Sequence, residues 1–225
     1  MDYRHEFKYL VSDYQLTLLR GRLMPLLHLD EHQADPNGYL IRSVYFDDID
    51  NRYLKENIYG LDNRVKFRIR IYDHKDSVIH LETKYKVRGM TRKEMCSLTR
   101  EQADMLLRGE CPEFSADMPK VLRFLFLEMS TSLLKPSIIV EYQRTAFVER
   151  VGNVRITFDR NISYSTDVTG FFEDALPLTP VLRPGQHILE VKYDEFLPDY
   201  LAQTADLGDL EQCTFSKYVM CRYAR

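Results

Sequence analysis

The 225 residues of this chain fit one large domain, because all-β barrels of this length commonly fold as a single unit. A hydrophobic content of 44% supplies enough apolar surface for a sizeable core and excludes a disordered chain. The formal net charge of −3 excludes a general nucleic-acid or membrane-surface binder, which would carry a basic excess over its exterior. We therefore expect one domain over residues 1–225, with any cationic function confined to one place.

The four cysteines show neither CxxC spacing nor the histidine-flanked spacing of a metal site. Without a signal peptide or a disulfide-like framework, they indicate reduced thiols in a cytoplasmic protein. No apolar run approaches the roughly 20 residues that a membrane span requires, so we expect no direct membrane insertion.

The N-terminal part of the chain alternates strand and helix signals. Residues 3–11 alternate as a strand, and Ser12 is placed to cap a helix whose leucines recur at helical spacing. Turn residues at 35–38 precede a second strand over 40–47. Asp50 is a candidate cap for the short helix that follows.

The clearest strand patterns come next. Residues 64–73 and 78–88 predict an antiparallel hairpin across a turn at 74–77. Gly89 is expected to end the second strand, and residues 92–98 read as extended again.

Two helices are predicted in the middle of the chain. Thr99 and Gln102 have the spacing of a capping box, and Gly109 is the matching stop signal. Residues 118–130 predict a core helix with Pro119 in its first turn.

The C-terminal part returns to strand patterns. Strands are predicted over 137–149, 153–163 and 187–194, a helix over about 195–207, and a strand or short docked helix over 215–222. About seven or eight strands with helices between them indicate the α+β class and an antiparallel barrel with peripheral helices.

Basic residues share one face of several predicted strands, because side chains alternate along a strand. The two hairpin strands place like charges side by side at Lys66, Arg68, Arg70, Lys84 and Lys86. Like charges directly across a strand pair destabilise a sheet by some tenths of a kcal/mol each, so an ordinary solvent face mixes its signs. For any one strand, a row of basic residues is explained by a face exposed to solvent. Basic residues crowded together on several neighbouring strands instead favour the lumen of a barrel that holds a polyanion.

Other strands extend the same pattern. Further candidate phosphate contacts are Lys8, Arg144, Arg155, Lys192 and, near the chain end, Lys217. Arginine offers a planar fork to phosphate oxygens and lysine a point charge, and phosphoryl transfer requires mainly positioning and charge neutralisation. The chain contains no GxxxxGK loop, GxSxG elbow or HExxH motif that would indicate other chemistry.

A divalent cation is expected with a triphosphate, held by one or two carboxylates. Glu190 is the first candidate ligand for Mn²⁺ or Mg²⁺ and Glu6 the second, since each lies among cations on a strand face. An ion pair with Lys192 is the alternative role for Glu190. Tyr142 could stack on a nucleobase or simply pack.

Short segments along nearly the whole chain form an ordered set. They are Glu6-Phe-Lys8-Tyr9, Ser43-Val-Tyr-Phe-Asp47, Lys66-Phe-Arg68-Ile-Arg70, Glu82-Thr-Lys84, Tyr142-Gln-Arg144-Thr-Ala-Phe147, Arg155-Ile-Thr-Phe-Asp159, Leu189-Glu190-Val-Lys192 and Ser216-Lys217-Tyr218. Read together, they resemble the VTC-type polyphosphate polymerase domain, a branch of the CYTH-like triphosphate tunnel metalloenzymes.

The resemblance implies an eight-stranded antiparallel barrel that encloses the triphosphate. It implies that Glu190 holds Mn²⁺ or Mg²⁺ and that Tyr142 packs on the base. A further family lysine falls on Arg92, with Lys93 as the competing position. The phosphate contacts that the resemblance implies are Lys8, Arg68, Arg70, Lys84, Arg144 and Lys217.

Three functions remain in competition at this point. The resemblance favours a polymerase that transfers the ATP γ-phosphate to inorganic polyphosphate, as does Glu6-x-Lys8 in place of the ExExK signature of the tunnel hydrolases. An inorganic or nucleoside triphosphatase would use the same tunnel with water as acceptor, and a non-catalytic module would only bind polyphosphate. The regulatory domain and membrane helices of eukaryotic polymerases are absent from the sequence, which leaves room for an unseen membrane or regulatory protein partner.

Overall fold

The computed structural model describes residues 4–31, 33, 35–88, 90–111, 113–115 and 117–225. Over these residues the main element is one antiparallel sheet of eight long strands and three two-residue strands. The strands are β1 (His5–Ser12), β2 (His28–Leu29), β3 (Tyr39–Asp47), β4 (Arg64–Tyr72), β5 (Lys75–Val87), β6 (Met90–Ser97), β7 (Lys135–Glu149), β8 (Val154–Ser165), β9 (Thr179–Pro180), β10 (Gln186–Tyr193) and β11 (Glu211–Gln212).

Six α-helices connect or cover these strands within the described ranges. They are α1 (Asp13–Leu23), α2 (Arg52–Ile58), α3 (Arg100–Leu107), α4 (Lys120–Thr131), α5 (Asp199–Thr204) and α6 (Lys217–Tyr223). None of them is long and apolar enough to cross a membrane.

The eight long strands curl into a tunnel in the order β1, β10, β8, β7, β3, β4, β5, β6. At the remaining seam the backbone N–H of Arg4 donates to the carbonyl of Thr91 at 3.3 Å. Further along the same edge, β11 pairs with Tyr9 and Leu10 of β1. This short strand occupies the edge that β6 would need, so the tunnel is a curled sheet rather than a barrel with a continuous closing ladder.

Alternation along the strands separates a polar lumen from an apolar outer face. On β4, Phe67 and Ile69 are fully buried on the outer side, and the ring of Phe67 lies 5.0 Å from that of Phe124 on α4. On the other wall, α1 packs its leucines in one cluster with Ile156 of β8 and Leu189 of β10. Burying each such side chain stabilises the fold by roughly 1.5–3 kcal/mol. Because the helices bury the apolar face of each strand, the basic face of the same strand points into the lumen.

The helix caps confirm the local predictions at two places. The side chain and backbone of Ser12 form a capping box with Gln15, and Thr99 does the same with Gln102. Gly109 adopts a φ of 76° directly after α3, a left-handed conformation that glycine reaches without a Cβ penalty.

Other local predictions were wrong. The β4–β5 hairpin turns at Asp73 and His74, both at positive φ, so β5 begins at Lys75 instead of after residue 77. Asp50 does not cap α2, because the carboxylate of Asp48 accepts the N–H of Arg52 at 2.9 Å. The predicted strand start at Tyr3 and the predicted break at Gly89 lie outside the described residues.

The C-terminal elements agree with expectation in part. Of the two alternatives for residues 215–222, a strand or a short helix, the structure has the helix, α6, with the Ser216 hydroxyl at its N-cap. The helix predicted over 195–207 shortens to α5, because Pro198 at the N-cap disfavours helical geometry in the residue before it. Pro119 likewise occupies the N-cap of α4 instead of its first turn.

Candidate functional site

A cavity of about 310 Å³ runs through the curled sheet. Among the described residues, eleven basic side chains line it, against the two carboxylates Glu6 and Glu190. The formal charge of the whole chain is only −3, so positive charge is concentrated at the lining of the lumen, while the acidic residues that balance it lie behind the lining or elsewhere in the chain. The basic residues are Arg4, Lys8, Lys66, Arg68, Arg70, Lys84, Lys93, Arg144, Arg155, Lys192 and Lys217.

Strand β4 supplies one basic row of the lumen. Lys66, Arg68 and Arg70 alternate with outward apolar residues and all reach the cavity. The Nη1 of Arg68 donates to the Tyr45 hydroxyl at 2.9 Å, and the Nε of Arg70 donates to the Ser43 hydroxyl at 3.1 Å. Burial raises the pKa of Tyr45, but Arg68 and Arg70 outweigh it, so this pKa lies below its ordinary value.

Behind this row, Glu82 of β5 is 1% exposed and binds two lumen cations. Its Oε2 accepts from the Nε of Arg68 at 2.6 Å, and its Oε1 lies 3.3 Å from the Nζ of Lys93. Burial raises the pKa of Glu82, but Arg68 and then Arg70 hold that pKa well below its ordinary value. Glu82 is therefore a carboxylate at neutral pH.

A second buried carboxylate, Asp159 of β8, has the corresponding role on another wall. Arg144 is its register partner on β7 and donates from Nε and Nη2 to its two oxygens, both at 2.7 Å. The Nζ of Lys217 lies 2.5 Å from its Oδ2. Burial raises the pKa of Asp159, but Arg144 and Lys217 together keep it below its ordinary value.

Glu6 and Glu190 are the carboxylates that reach the cavity itself. Glu6 forms ion pairs of 2.9 Å with both Lys8 and Lys84, and Glu190 lies 2.5 Å from Lys192. Burial raises the pKa of Glu190, but Lys192, followed by Lys217, holds it well below its ordinary value. Glu190 is the register partner of Lys8 on β1, so the two carboxylates belong to neighbouring strands.

These two carboxylates decide how a metal could be held. Among the described residues, no cluster of three or more histidine, cysteine or acidic side chains forms a ready-made cage. Mg²⁺ in phosphate sites usually takes one or two protein carboxylates and completes its shell with phosphate oxygens and water. Glu6 and Glu190 fit that donor set.

Lys66 and Lys192 are two of the lumen lysines whose pKa lies below its ordinary value. Lys66 donates to the Ser216 hydroxyl at 3.1 Å, and its pKa is lowered well below the ordinary value by burial and by the neighbouring Lys84 and Lys8. Burial lowers the pKa of Lys192 to about 8, although Glu190 acts in the opposite direction. An anion entering the lumen would favour the charged form of both.

Helix α6 contributes to the lumen from outside the sheet. Ser216, Lys217 and Tyr218 line the cavity, and the carbonyl of the preceding Phe215 accepts from the Nζ of Lys8 at 2.8 Å. The Tyr218 hydroxyl donates to the buried Asp47 at the end of β3. The C-terminal segment is thus anchored to two strands and completes the tunnel wall.

The structure brings most of the predicted site residues together around the cavity. Arg92 is an exception, because its register partner is Tyr85 and its side chain pairs with Glu94 at 2.7 Å. Its neighbour Lys93 is the register partner of Lys84 and reaches the lumen, as alternation requires. Those brought together are Lys8, Lys66, Arg68, Arg70, Lys84, Tyr142, Arg144, Arg155, Lys192, Lys217, Glu190 and Glu6.

Lys86 and Tyr142 require separate comment. Lys86 shares the face of Lys84 but is not among the residues that line the cavity. Tyr142 does line it, and the residue is only 3% exposed, with Arg144 and Lys217 at 5.2 and 4.8 Å from the centre of its ring. These contacts match the packing alternative for Tyr142, and stacking on a base stays a prediction.

Several cavity residues were missed by the sequence prediction. Tyr39, Ile41 and Tyr45 project from alternate positions of β3, and Tyr218 projects from α6. The period of two along β3 was an available signal, but its positions 39, 41, 43 and 45 carry no charge and were interpreted as core. Tyr218 had no such signal, because a strand was as good a prediction as a helix for its segment.

Solved structures share this fold at low sequence identity. A protein of Bacillus halodurans described as "a putative adenylate cyclase" is 16% identical with a TM-score of 0.55, over 96% of this chain and 94% of that one. A Vibrio parahaemolyticus protein with the same description is 11% identical with a TM-score of 0.54, over 98% of both chains.

A third similar structure is a protein of Pyrococcus horikoshii, 10% identical with a TM-score of 0.50 over 99% of this chain and 100% of that one. Identities this low establish a shared tunnel fold and no more. No curated protein sequence matches the chain. The family model described as the VTC domain matches residues 3–224, and the chain therefore belongs to the VTC domain family.

Proposed function

We propose that this tunnel transfers the γ-phosphate of ATP to a growing inorganic polyphosphate chain. The observation that carries the proposal is the density of cations in the cavity, eleven against two carboxylates among the described residues. Buried like charges repel one another and lose hydration, so the empty lumen is costly. A ligand with several adjacent negative charges would offset this repulsion, and a condensed phosphate is such a ligand.

The residue types suit phosphate chains. Arg68, Arg70 and Arg144 offer planar forks that match pairs of phosphate oxygens, whereas the lysines act as movable point charges. Carboxylates and tyrosine hydroxyls hold the arginines in place before any ligand enters. Such preorganised charge is the main source of acceleration in phosphoryl transfer.

In the proposed step, a terminal oxygen of the polyphosphate chain attacks the γ-phosphorus of ATP. The bond from that phosphorus to the β–γ bridging oxygen breaks, and ADP leaves with the electron pair. Terminal phosphate oxygens are ionised at neutral pH, so the attack requires no general base from the protein. The lysines and arginines of the lumen hold donor and acceptor in line and neutralise the charge on the leaving oxygen.

Glu190 and Glu6 would hold Mg²⁺ or Mn²⁺, which when bound neutralises phosphate charge in the tunnel. Glu190 is the stronger candidate, because it is 4% exposed and lies among several cations that a bound metal and phosphate would rearrange.

Membership of the VTC domain family supports a polymerase over a triphosphatase or a module that only binds polyphosphate. The first strand supports it as well, since Glu6-x-Lys8 offers one lumen carboxylate where ExExK would offer two.

The test is incubation with ATP and Mn²⁺, with products resolved on a gel that separates polyphosphate from free phosphate. Long chains are the expected product. Free phosphate alone would overturn the proposal in favour of a triphosphatase, and binding without turnover would favour a module that only holds polyphosphate.

Variants link the product to the tunnel. Arg68→Ala and Arg70→Ala should weaken triphosphate binding and reduce chain synthesis. Arg100→Ala is the matched control, because Arg100 is a surface arginine that pairs with Asp76 and Asp104 away from the cavity. Full activity in both tunnel variants would exclude this site.

A further inference from the structure

Two buried carboxylates behind the lining of the lumen each bind some of its cations. Glu82 and Asp159 are 1% and 0% exposed, and neither lines the cavity directly. Each binds an arginine and a lysine that do line it: Glu82 binds Arg68 and Lys93, with Arg70 farther away at 4.0 Å, and Asp159 binds Arg144 and Lys217. We refer to these as the Glu82 clamp and the Asp159 clamp.

The two carboxylates lie on opposite sides of the strand ring. Glu82 is on β5 and Asp159 on β8, and in the order of the eight long strands these two are four places apart, which is half of an eight-strand ring. Their arginines, Arg68 on β4 and Arg144 on β7, are on strands separated only by β3, so the two clamps present their cations from different walls of the lumen.

Each clamp binds cations from two different elements. Glu82 lies between β4 and β6, and its two oxygens bind cations from those two strands. Asp159 binds Arg144 on the neighbouring β7 and also Lys217 on α6, which is outside the sheet. A carboxylate that served only to balance charge would not require both of its oxygens to be engaged in this way.

We propose that Glu82 and Asp159 are positioning residues that set an arginine and a lysine on each wall for one phosphoryl group, so that the tunnel selects a linear condensed phosphate that touches both walls. This inference rests on the proposed phosphate-binding function, but not on which reaction follows. If the carboxylates position the cations, removing their charge should weaken binding of a linear condensed phosphate. If they only balance charge, removing it should strengthen binding.

The test compares two anions by calorimetric titration at fixed ionic strength: linear tripolyphosphate and cyclic trimetaphosphate. The variants are Glu82→Gln and Asp159→Asn, which keep side-chain shape and remove one negative charge. We expect each to weaken tripolyphosphate binding about tenfold, the lower end of the cost of removing a group that orients ligand-binding side chains. Trimetaphosphate cannot extend between the walls, so the added positive charge should leave its affinity unchanged or raise it.

Glu141→Gln is the matched control. Glu141 is a buried carboxylate that binds the buried Arg42 at 2.5 Å, and neither residue lines the cavity. Its replacement removes an equivalent buried ion pair and should change neither anion affinity. Thermal melting establishes that each variant is folded.

If Glu82 and Asp159 only balance charge, their replacement tightens both anions in parallel, which would overturn the inference. Should either isosteric variant fail to fold, Glu82→Asp keeps the charge and withdraws the carboxylate from its two partners. Weaker tripolyphosphate binding in Glu82→Asp supports positioning, and unchanged binding contradicts it. A parent chain that binds neither anion would overturn the proposed function itself.

Discussion

Lys66 and Lys84 are direct register partners on β4 and β5, and both face the lumen. Like charges directly across a strand pair destabilise a sheet. Burial lowers the pKa of Lys66 well below its ordinary value, and Lys84 is the next contributor. Glu6 pairs with Lys84 at 2.9 Å but not with Lys66, so the charge of Lys66 is a cost to the ligand-free protein that a bound anion would offset.

This relationship predicts that Lys66→Met stabilises the empty protein and weakens anion binding. The free energy of unfolding should rise by about 1 kcal/mol, which for a chain of this size raises Tm by about 2–4 °C. The rise in Tm that tripolyphosphate gives the parent chain should shrink in the variant, because one cation is missing. Thermal unfolding with and without tripolyphosphate measures both effects.

Lys75→Met is the control for this prediction. Lys75 is an exposed lysine at the start of β5, paired with Tyr72 outside the charged row. It should change neither Tm nor the ligand-induced shift. A Lys66→Met variant that is less stable than the parent, with an unchanged response to tripolyphosphate, would contradict the interpretation.

The pKa of Lys192 predicts a pH dependence of binding. Burial lowers it from 10.5 to about 8 in the folded protein, with Glu190 opposing the change. Between those values the unfolded chain binds more protons than the folded one, so this group makes the free energy of unfolding rise with pH. The affinity for an anion should depend on pH in the opposite direction, because a phosphate chain binds the protonated amine. Affinity should therefore fall as pH rises through about 8.

Proton uptake measures this directly. At pH 8 the lysine is half protonated, so tripolyphosphate binding should take up roughly half a proton at Lys192. Calorimetric titration in buffers of different ionisation enthalpy gives the uptake. Lys192→Arg, which stays charged, should reduce it. An affinity that is constant from pH 7 to 9, or an uptake unaffected by Lys192→Arg, would exclude this role.

Periodicity in the sequence was sufficient to predict the lumen but not its internal partners. The alternation of Lys66, Arg68 and Arg70 with apolar residues depends on strand geometry alone, and the structure places all three in the cavity. The choice between Arg92 and Lys93 depends instead on the register of β6 against β5. Register is set by turn geometry and packing, which the spacing of charges does not encode.

The two carboxylate clamps were beyond prediction for a related reason. Asp159 pairs with Arg144 across a ladder that contains a register shift, and with Lys217 on a helix that could also be read as a strand. Such contacts exist only once the strand order is known. The sequence does indicate which residues are charged and inward, but not which carboxylate holds which cation.

Glu190→Gln tests the proposed metal contact. The amide keeps the shape of the side chain but is a poorer ligand for a hard cation, so the variant should remain folded and lose the response of turnover to Mn²⁺. Glu141→Gln, the buried carboxylate outside the cavity, should retain that response. Titrating ATP turnover against Mn²⁺ in the three proteins gives the comparison. Parent-like metal dependence in Glu190→Gln would assign the metal elsewhere.

At Gly38 the chain passes close to the backbone of Arg144, a residue that lines the cavity. Gly38 adopts a φ of 102°, and an added Cβ would collide with the backbone carbonyl of Arg144 on β7. Backbone atoms cannot rotate away as the end of a flexible side chain can, so Gly38→Ala must displace one of the two segments. Because Arg144 is in the Asp159 clamp, that displacement should reach the lumen.

Gly60→Ala separates this effect from the strain of a positive φ. Gly60 has a φ of 67°, and a Cβ there would meet nothing within 4 Å. Both variants should lose stability, by about 1 kcal/mol or more where alanine replaces a left-handed glycine. Gly38→Ala alone should also weaken tripolyphosphate binding, since a misplacement near 1 Å can change activity about 100-fold. Equal tripolyphosphate affinities in the two variants, measured well below their melting temperatures, would show that the contact of Gly38 with the Arg144 backbone does not govern the position of the Arg144 guanidinium.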